Sequence, residues 1–501
     1  VLESKIIKTN NYGIERLVAA GLISAIAGLA SYVGLRGLGL SVFIAVPMVV
    51  LFYVVSVMLL AHRLPKGLDG IRKRRPWLSI VWLLIAFAAF LQTPRLSFFM
   101  LDPSQIQYSL FPGDQWFVEH CCLTAYSEST RLASEGEKNI YELRHYLGNN
   151  AHKDLIPLRK LANFNVDPYY YPPQFLLLPF MAKAVVGEDF LNLRMLWFAI
   201  GVLALMAAIG FIIDRLEPEG RMRLIGMAPF IWCSVPVLAG LQLSNVQIIV
   251  ISISIIAMAL FPRQRPIGGL LLAMSTVAKI FPGILIVYII AQRKFREALW
   301  IAGFAIVLTI IALIVVGLNP FQAFIEYELP RLSSGEAFSG PFSIGFPVAR
   351  NMAPFGLPLK LSWLGVPGMT LEIGRIISTI YLLIVVVLAI WAGRRQPRSN
   401  TEIISVWLSL LSLGTLVSPF APATYVLASL VLLVCINREI FSMSATIVFL
   451  FLISAPFLIS KEESFLLQAI CYFPAQVIAI GIPGFVLYRA GIKNTQEEKN
   501  E

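Results

Sequence analysis

Two kinds of residue in this chain could do chemistry, and they lie far apart along it. Residues 94–173 hold Asp102, Asp114, Glu119, His120, Asp154 and Asp167 in one long polar stretch. Residues 268–291, GGLLLAMSTVAKIFPGILIVYIIA, are apolar or uncharged except for Lys279. A carboxylate beside a hydroxyl can act as a general base. A cation can hold a phosphate whose charge grows as it leaves. Together they suit glycosyl transfer from a lipid-linked sugar phosphate.

Other chemistries lack their residues. There is no Walker A pattern, so ATP-driven pumping within this chain is not expected. The patterns His-Glu-x-x-His, Cys-x-x-Cys, Asp-x-Asp and Gly-x-Ser-x-Gly are also missing. No metal and no cofactor is called for. The five cysteines have no metal spacing. Cys233, Cys435 and Cys471 fall in apolar runs, and the vicinal Cys121 and Cys122 are poorly placed to bond each other, so none receives a role.

The elements that must position these residues are membrane helices. Only 14% of the residues are charged and the mean hydropathy is +0.76, where a soluble chain would carry about 25% charged residues. Apolar runs long enough to cross a bilayer recur from end to end, which predicts an all-α, polytopic membrane bundle. The net charge of +11 could suggest a nucleic-acid partner, but its distribution excludes that reading. Arg63, Lys66, Arg72, Lys73, Arg74 and Arg75 crowd one loop, Arg293, Lys294 and Arg296 a second, Arg394, Arg395 and Arg398 a third. This is the positive-inside pattern, which sets orientation.

With basic loops inside, Leu17–Leu35 reads as a first span that stays in place, and 40–61 returns. Span 77–93 then leads to an external loop, 94–173. Residues 174–187 are too short to cross, about 21 Å as a helix, and are expected to lie in the outer interface. Spans 191–213, 224–241 and 246–261 follow. The Lys279 run lies between two basic loops, so it must go out and come back as two short arms with Lys279 at the bend. Span 298–317, a second external loop 318–370, span 371–392, a hairpin 403–436 turning at SPFAPATY, and spans 440–459 and 466–488 complete about 14 crossings, with both chain ends cytoplasmic. The polar features converge outside: Asp114 and Glu119, Tyr171 and Pro172, Arg194, Asn245 and Gln247, Lys279, Arg350 and Asn351.

That order of motifs resembles the GT-C superfamily of polytopic glycosyltransferases, and most closely glycosyltransferase family 87, the polyprenol-phosphate-mannose-dependent mannosyltransferase-like proteins. YYPPQFLLLPFMA (170–182) is similar to the family's Tyr-Pro-Pro segment, and TAYSESTRLASEGEKNIYE (124–142) to its helix ending in Gly, a few polar residues and Tyr. AKIFPGILIVYII (278–290) matches its Lys-x-x-Pro hairpin, and LVSPFAP (416–422) its Ser-Pro turn. The resemblance covers roughly 77–440, which would be the catalytic module, with 1–76 an added hairpin and basic loop and 441–501 the final spans and tail.

There are three departures. The family's Gly-Gln-x-Asn pair reads SNVQ (244–247) here; the histidine often found after the Ser-Pro turn is absent; and the family's catalytic aspartate sits nearer the Gly…Tyr element than Asp114 does. Glu119 is better spaced, whereas Asp114 has the Gly-Asp-x-aromatic context.

The resemblance implies transfer of a hexose, mannose in the family's case, from a polyprenyl-phosphate donor to a lipid or glycan acceptor at the outer face of the plasma membrane (a bacterial inner membrane), with inversion. Asp114 would be the base, with Glu119 as its rival. Lys279, Arg194 and Arg350 would hold the donor phosphate, and Tyr171, Pro172, Asn245, Gln247 and Asn351 the substrates, with membrane lipids as surroundings. Each has an ordinary alternative. Asp114 can cap a helix, Arg194 can snorkel to headgroups, and Asn245 and Gln247 can join helices. A non-enzymatic lipid or solute transporter would show ionisable pairs in mid-membrane and repeat symmetry, and neither is visible. A glycan ligase or polymerase would want a histidine in its late loop, and 318–370 has none.

Overall fold

The computed structural model describes residues 13–65, 67–68, 76–148, 157–395, 397, 399–437, 441–459 and 463–492. Most of the basic loop 62–76, Asp154, Arg398 and both chain ends lie outside the described residues. The described chain is helical almost throughout, and one two-stranded antiparallel ribbon pairs Lys160–Leu161 with Phe164–Asn165.

Seven described helices are long and apolar enough to cross a membrane: Ile14–Gly37, Val42–Arg63, Pro76–Leu101, Phe190–Arg215, Phe295–Val316, Leu371–Gly393 and Phe465–Ile492. An eighth is possible if Pro218–Cys233 and Val235–Gln242, bent by 58° where Ser234 is extended and Pro236 follows, form one span. The expectation of about 14 crossings counts short arms together with full-length spans of this kind. Gln247–Leu260, Arg265–Ala278, Phe281–Ala291 and Met443–Leu458 are apolar helices of 10–17 residues. They end early because Asn, Pro and Ser interrupt their backbone ladders. Residues 174–187 form the short helix expected of them: Pro173–Leu176 is a 3₁₀ turn that runs into Leu177–Val186.

Small residues bring the helices together, as is usual where lipid offers no hydrophobic drive to associate. A Cβ on Gly34 would meet Ala199 at 2.7 Å, and one on Gly37 the Asn192 carbonyl at 2.8 Å, so the first helix lies directly on Phe190–Arg215. Gly269 likewise lets Arg265–Ala278 lie against Trp300. Val42–Arg63 turns almost all its side chains outward, an apolar surface suited to lipid. The buried core has two parts. One fills the space between the spans. The other lies under the two long loops and is aromatic, with Tyr126, Tyr141, Tyr146, Tyr169, Phe175 and Trp197 all buried.

Candidate active site

The site begins where two helices break. Arg265–Ala278 stops because Lys279 is extended (φ −143°, ψ 133°), and Pro282 opens the following turn without an N–H to continue the old ladder. Facing it, Val235–Gln242 ends at Ser244, which takes a left-handed φ of 52°. The Asn245 side-chain oxygen then accepts the Gln247 N–H at 2.9 Å and starts Gln247–Leu260. Lys279 Nζ donates to Gln247 Oε1 at 2.8 Å and to Asn245 Oδ1 at 3.4 Å, and lies 5.2 Å from the centre of the Tyr171 ring. Four residues singled out from the sequence thus meet in one corner. The Gln247 amide nitrogen is buried there and has no acceptor among the described residues.

The first long loop covers this corner. Gln242 fastens it, accepting from Leu110 N at 2.6 Å and donating to Ser109 Oγ at 3.0 Å and Phe117 O at 2.9 Å. Cys122 N donates to Leu243 O at 2.9 Å, which seats Cys122 on the helix break itself. Asn245 Nδ2 reaches the Cys122 sulfur at 3.2 Å. His120 Nε2 lies 2.9 Å from the Tyr425 hydroxyl and 3.6 Å from that sulfur, and its Nδ1 is 3.2 Å from Asp167 Oδ2. The ring stacks on Trp116, centroids 4.5 Å apart. Burial works against a charge on His120, but the Asp167 carboxylate and the neighbouring sulfur outweigh it and hold the imidazole well above its usual range.

Glu119, next to His120 in sequence, turns to different partners. Glu119 is held by Lys160 at 3.2 Å and by Asn165 Nδ2 at 3.2 Å. Partial burial would raise its carboxyl, but Gln115, Lys160 and Asn165 together lower it.

Asp114 and Arg350 lie apart from the Lys279 corner, near enough for the carboxylate to act on the guanidinium. Asp114 caps the short helix Gln115–Glu119 through the Trp116 N–H at 2.9 Å. Arg350 ends Gly345–Arg350 and lies 3.7 Å over the Phe346 ring, with Tyr472 near. Burial lowers its guanidinium, against the pull of Tyr472 and Asp114. Its Nε has no acceptor among the described residues. Asn351 is occupied with backbone: its oxygen accepts from Ala353 N at 3.0 Å and Ala421 N at 2.9 Å, and its Nδ2 donates to Pro419 O at 2.9 Å. It clamps the second loop to the Ser-Pro turn and so fixes Tyr425.

Arg194 is in neither place. It is fully buried between the Phe99 and Phe164 rings and donates to Phe99 O at 2.9 Å and Met100 O at 3.2 Å, closing the last turn of Pro76–Leu101. Tyr171 receives the Tyr126 hydroxyl at 2.9 Å, and the carbonyls of Tyr171 and Pro172 accept from Tyr141 and Tyr169 at 3.0 Å each. Sequence reading gave no role to Asp167, Cys122 or Tyr425. The visible signs were slight: Asp167 opens the Asp-Pro-Tyr-Tyr-Tyr-Pro-Pro run, and Tyr425 ends the Ser-Pro turn.

The model for Glycosyltransferase family 87 matches residues 169–419. That range contains Tyr171, Pro172, Arg194, Asn245, Gln247, Lys279, Arg350 and Asn351, and stops short of Asp114 and Glu119. No curated protein matches the chain. Among solved structures, the crystal structure of ArnT from Cupriavidus metallidurans in the apo state aligns with 14% identity over 84% of this chain and 78% of that one, at a TM-score of 0.29.

Proposed function

The chain belongs to glycosyltransferase family 87, within the GT-C superfamily, and from that premise we propose that it moves a hexose from a polyprenyl-phosphate donor to a hydroxyl of a lipid or glycan acceptor. Mannose is the hexose the family suggests. The observation that carries this reading is Lys279. Its ammonium sits in the break between two short apolar helices, aimed at the Asn245 and Gln247 side chains. A phosphate entering from lipid would offset the cost of that cation, and an open donor on Gln247 is beside it.

The reaction is a single inverting displacement. The acceptor oxygen bonds to the anomeric carbon, the bond from that carbon to the phosphate oxygen breaks, and the electron pair leaves with the lipid phosphate toward Lys279. The acceptor proton goes to a side chain of the first long loop, for which Asp114 and Glu119 are the carboxylates that the sequence nominates. Arg350, beside Asp114, is available to an anionic part of either substrate. The basic loops support a reading with this side of the bundle outside the plasma membrane and both chain ends in the cytoplasm.

The test is transfer by purified full-length protein in lipid nanodiscs, offered polyprenyl-phosphate mannose, glucose and galactose with a lipid extract as acceptor. Product from at least one of these donors, abolished in Lys279→Ala, is expected. Transfer that needs a nucleotide sugar and ignores every lipid-linked one would overturn the proposal. Undiminished transfer by Asp114→Asn or Glu119→Gln would remove that carboxylate as the base.

A further inference from the structure

Cys122 stands where the pieces of the site meet. Its backbone is tied to the helix break by the bond to Leu243 O, and its sulfur lies 3.2 Å from Asn245 Nδ2, 3.4 Å from the Tyr425 hydroxyl and 3.6 Å from His120 Nε2. Asn245 serves two neighbours at once: its nitrogen faces this sulfur and its oxygen faces Lys279. Behind the imidazole, Asp167 Oδ2 meets Nδ1 at 3.2 Å. Sulfur, imidazole and carboxylate therefore stand in the order of a reactive group, the base that takes its proton, and the residue that orients the base.

With Asp167 facing Nδ1 as an ion-pair contact, Nε2 is left as an acceptor, 2.9 Å from the Tyr425 hydroxyl and 3.6 Å from the thiol sulfur. A proton moved onto Nε2 leaves a sulfur still met by the Asn245 N–H, and an imidazolium still met by Asp167. The buried Gln247 nitrogen without an acceptor is an independent sign that a ligand belongs in this corner.

We propose that Cys122 is the group that takes the proton from the acceptor hydroxyl, with His120 and Asp167 as its positioning partners. The inference rests on the glycosyl-transfer reading above and assigns its proton. The thiol first gives its proton to His120 Nε2. The acceptor O–H bond then breaks, its proton goes to the sulfur, and the oxygen bonds to the anomeric carbon. The bond to phosphate breaks, and its electron pair leaves with the phosphate toward Lys279. The lipid phosphate gains one negative charge, and the one surplus proton stays on His120 until water removes it. Asp114 and Glu119 are less suitably turned. The first is spent on a helix cap beside Arg350, the second on Lys160 and Asn165.

The charged and titratable groups that face this sulfur are Cys121 and His120 from the loop, Tyr126 from Leu123–Ser134, Tyr171, Tyr425 from the Ser-Pro turn, and Lys279, with Asp167 behind His120. A pH profile would report on all of them, so the test uses substitution at Cys122 itself. Cys122→Ser, nearly isosteric, should lower kcat by about 100-fold or more with little change in donor KM. Cys122→Asp should recover much of that loss, because a carboxylate can take the same proton. A residue that only packs would respond in the opposite order, since Ser is mild there and a buried Asp is not. Wild-type activity in Cys122→Ser would overturn the inference.

Alkylation separates this inference from the donor assignment. Iodoacetamide should modify Cys122 in the full-length protein at near-neutral pH, and more slowly in His120→Asn. If the wild type transfers from no polyprenyl-phosphate hexose, the donor assignment fails alone, and alkylation decides the rest. An equal Cys122 rate in wild type and His120→Asn would overturn the reactive pair.

Discussion

The Lys279 corner and the loop that covers it are built by different physics. Lys279, Asn245 and Gln247 sit at breaks in apolar helices, where any polar group is costly and local sequence decides the geometry. Pro282 ends one helix and the Asn245 side chain starts another, all within a few residues. His120, Asp167, Cys122 and Tyr425 come from three separate stretches, and only tertiary contacts bring them together. The membrane half is local and anomalous. The loop half is long-range and, in composition, ordinary.

The sharpest way to probe that contrast is to remove each half's central group. Lys279→Met should lower kcat/KM by about 100- to 1,000-fold, the loss that follows deletion of a preorganised charge at the leaving group. Thermal stability should hold or rise, because an apolar chain of similar length replaces a costly cation. Unchanged kinetics would reduce Lys279 to a helix-end ornament and remove the functional half of the contrast. Asn351→Leu attacks the loop half. It strands the Ala353 and Ala421 N–H groups and the Pro419 carbonyl, which should cost about 3–9 kcal/mol at 1–3 kcal/mol for each stranded group. A fall in apparent Tm together with activity would show that this loop depends on distant clamps.

A smaller effect is expected from pH. The folded protein holds the His120 imidazole above its usual range, chiefly because Asp167 and the neighbouring sulfur overcome burial. The stability from this contact is therefore complete below the ordinary histidine range. It is lost as pH rises from there through the raised folded value. Asp167→Asn should flatten that decline in melts taken from pH 6 upward; an unchanged slope would mean that the pair does not titrate with folding. Smallest of all, Glu119→Gln should change stability by about 0–1 kcal/mol, since Glu119 pairs with a half-exposed lysine. Its kcat should stay within a few-fold of wild type, and a loss of about 100-fold would make it the base.

The same contrast explains what could be read in the sequence. Lys279 was legible because charge is scarce in apolar runs, and the basic loops on either side required a bend there. The bend, the Asn245–Gln247 pair and the helix after Tyr-Pro-Pro were all local patterns. Arg194 was not legible: it opens an apolar helix just as a snorkelling residue would, and only the fold reveals that Pro76–Leu101 ends beside it. The role of His120 was not legible either, because nothing local shows that a pairing of His120 with Asn165 carries Asp167 to its side.

The most direct test is equilibrium binding of polyprenyl phosphate, the lipid product, to the full-length protein and to Lys279→Met in the same nanodiscs. The wild type should bind it saturably. The variant should bind it about tenfold more weakly or worse, as loss of a charge-assisted hydrogen bond worth about 1.5–3 kcal/mol implies. Equal affinity in the two proteins would contradict the assignment of the lipid phosphate to Lys279.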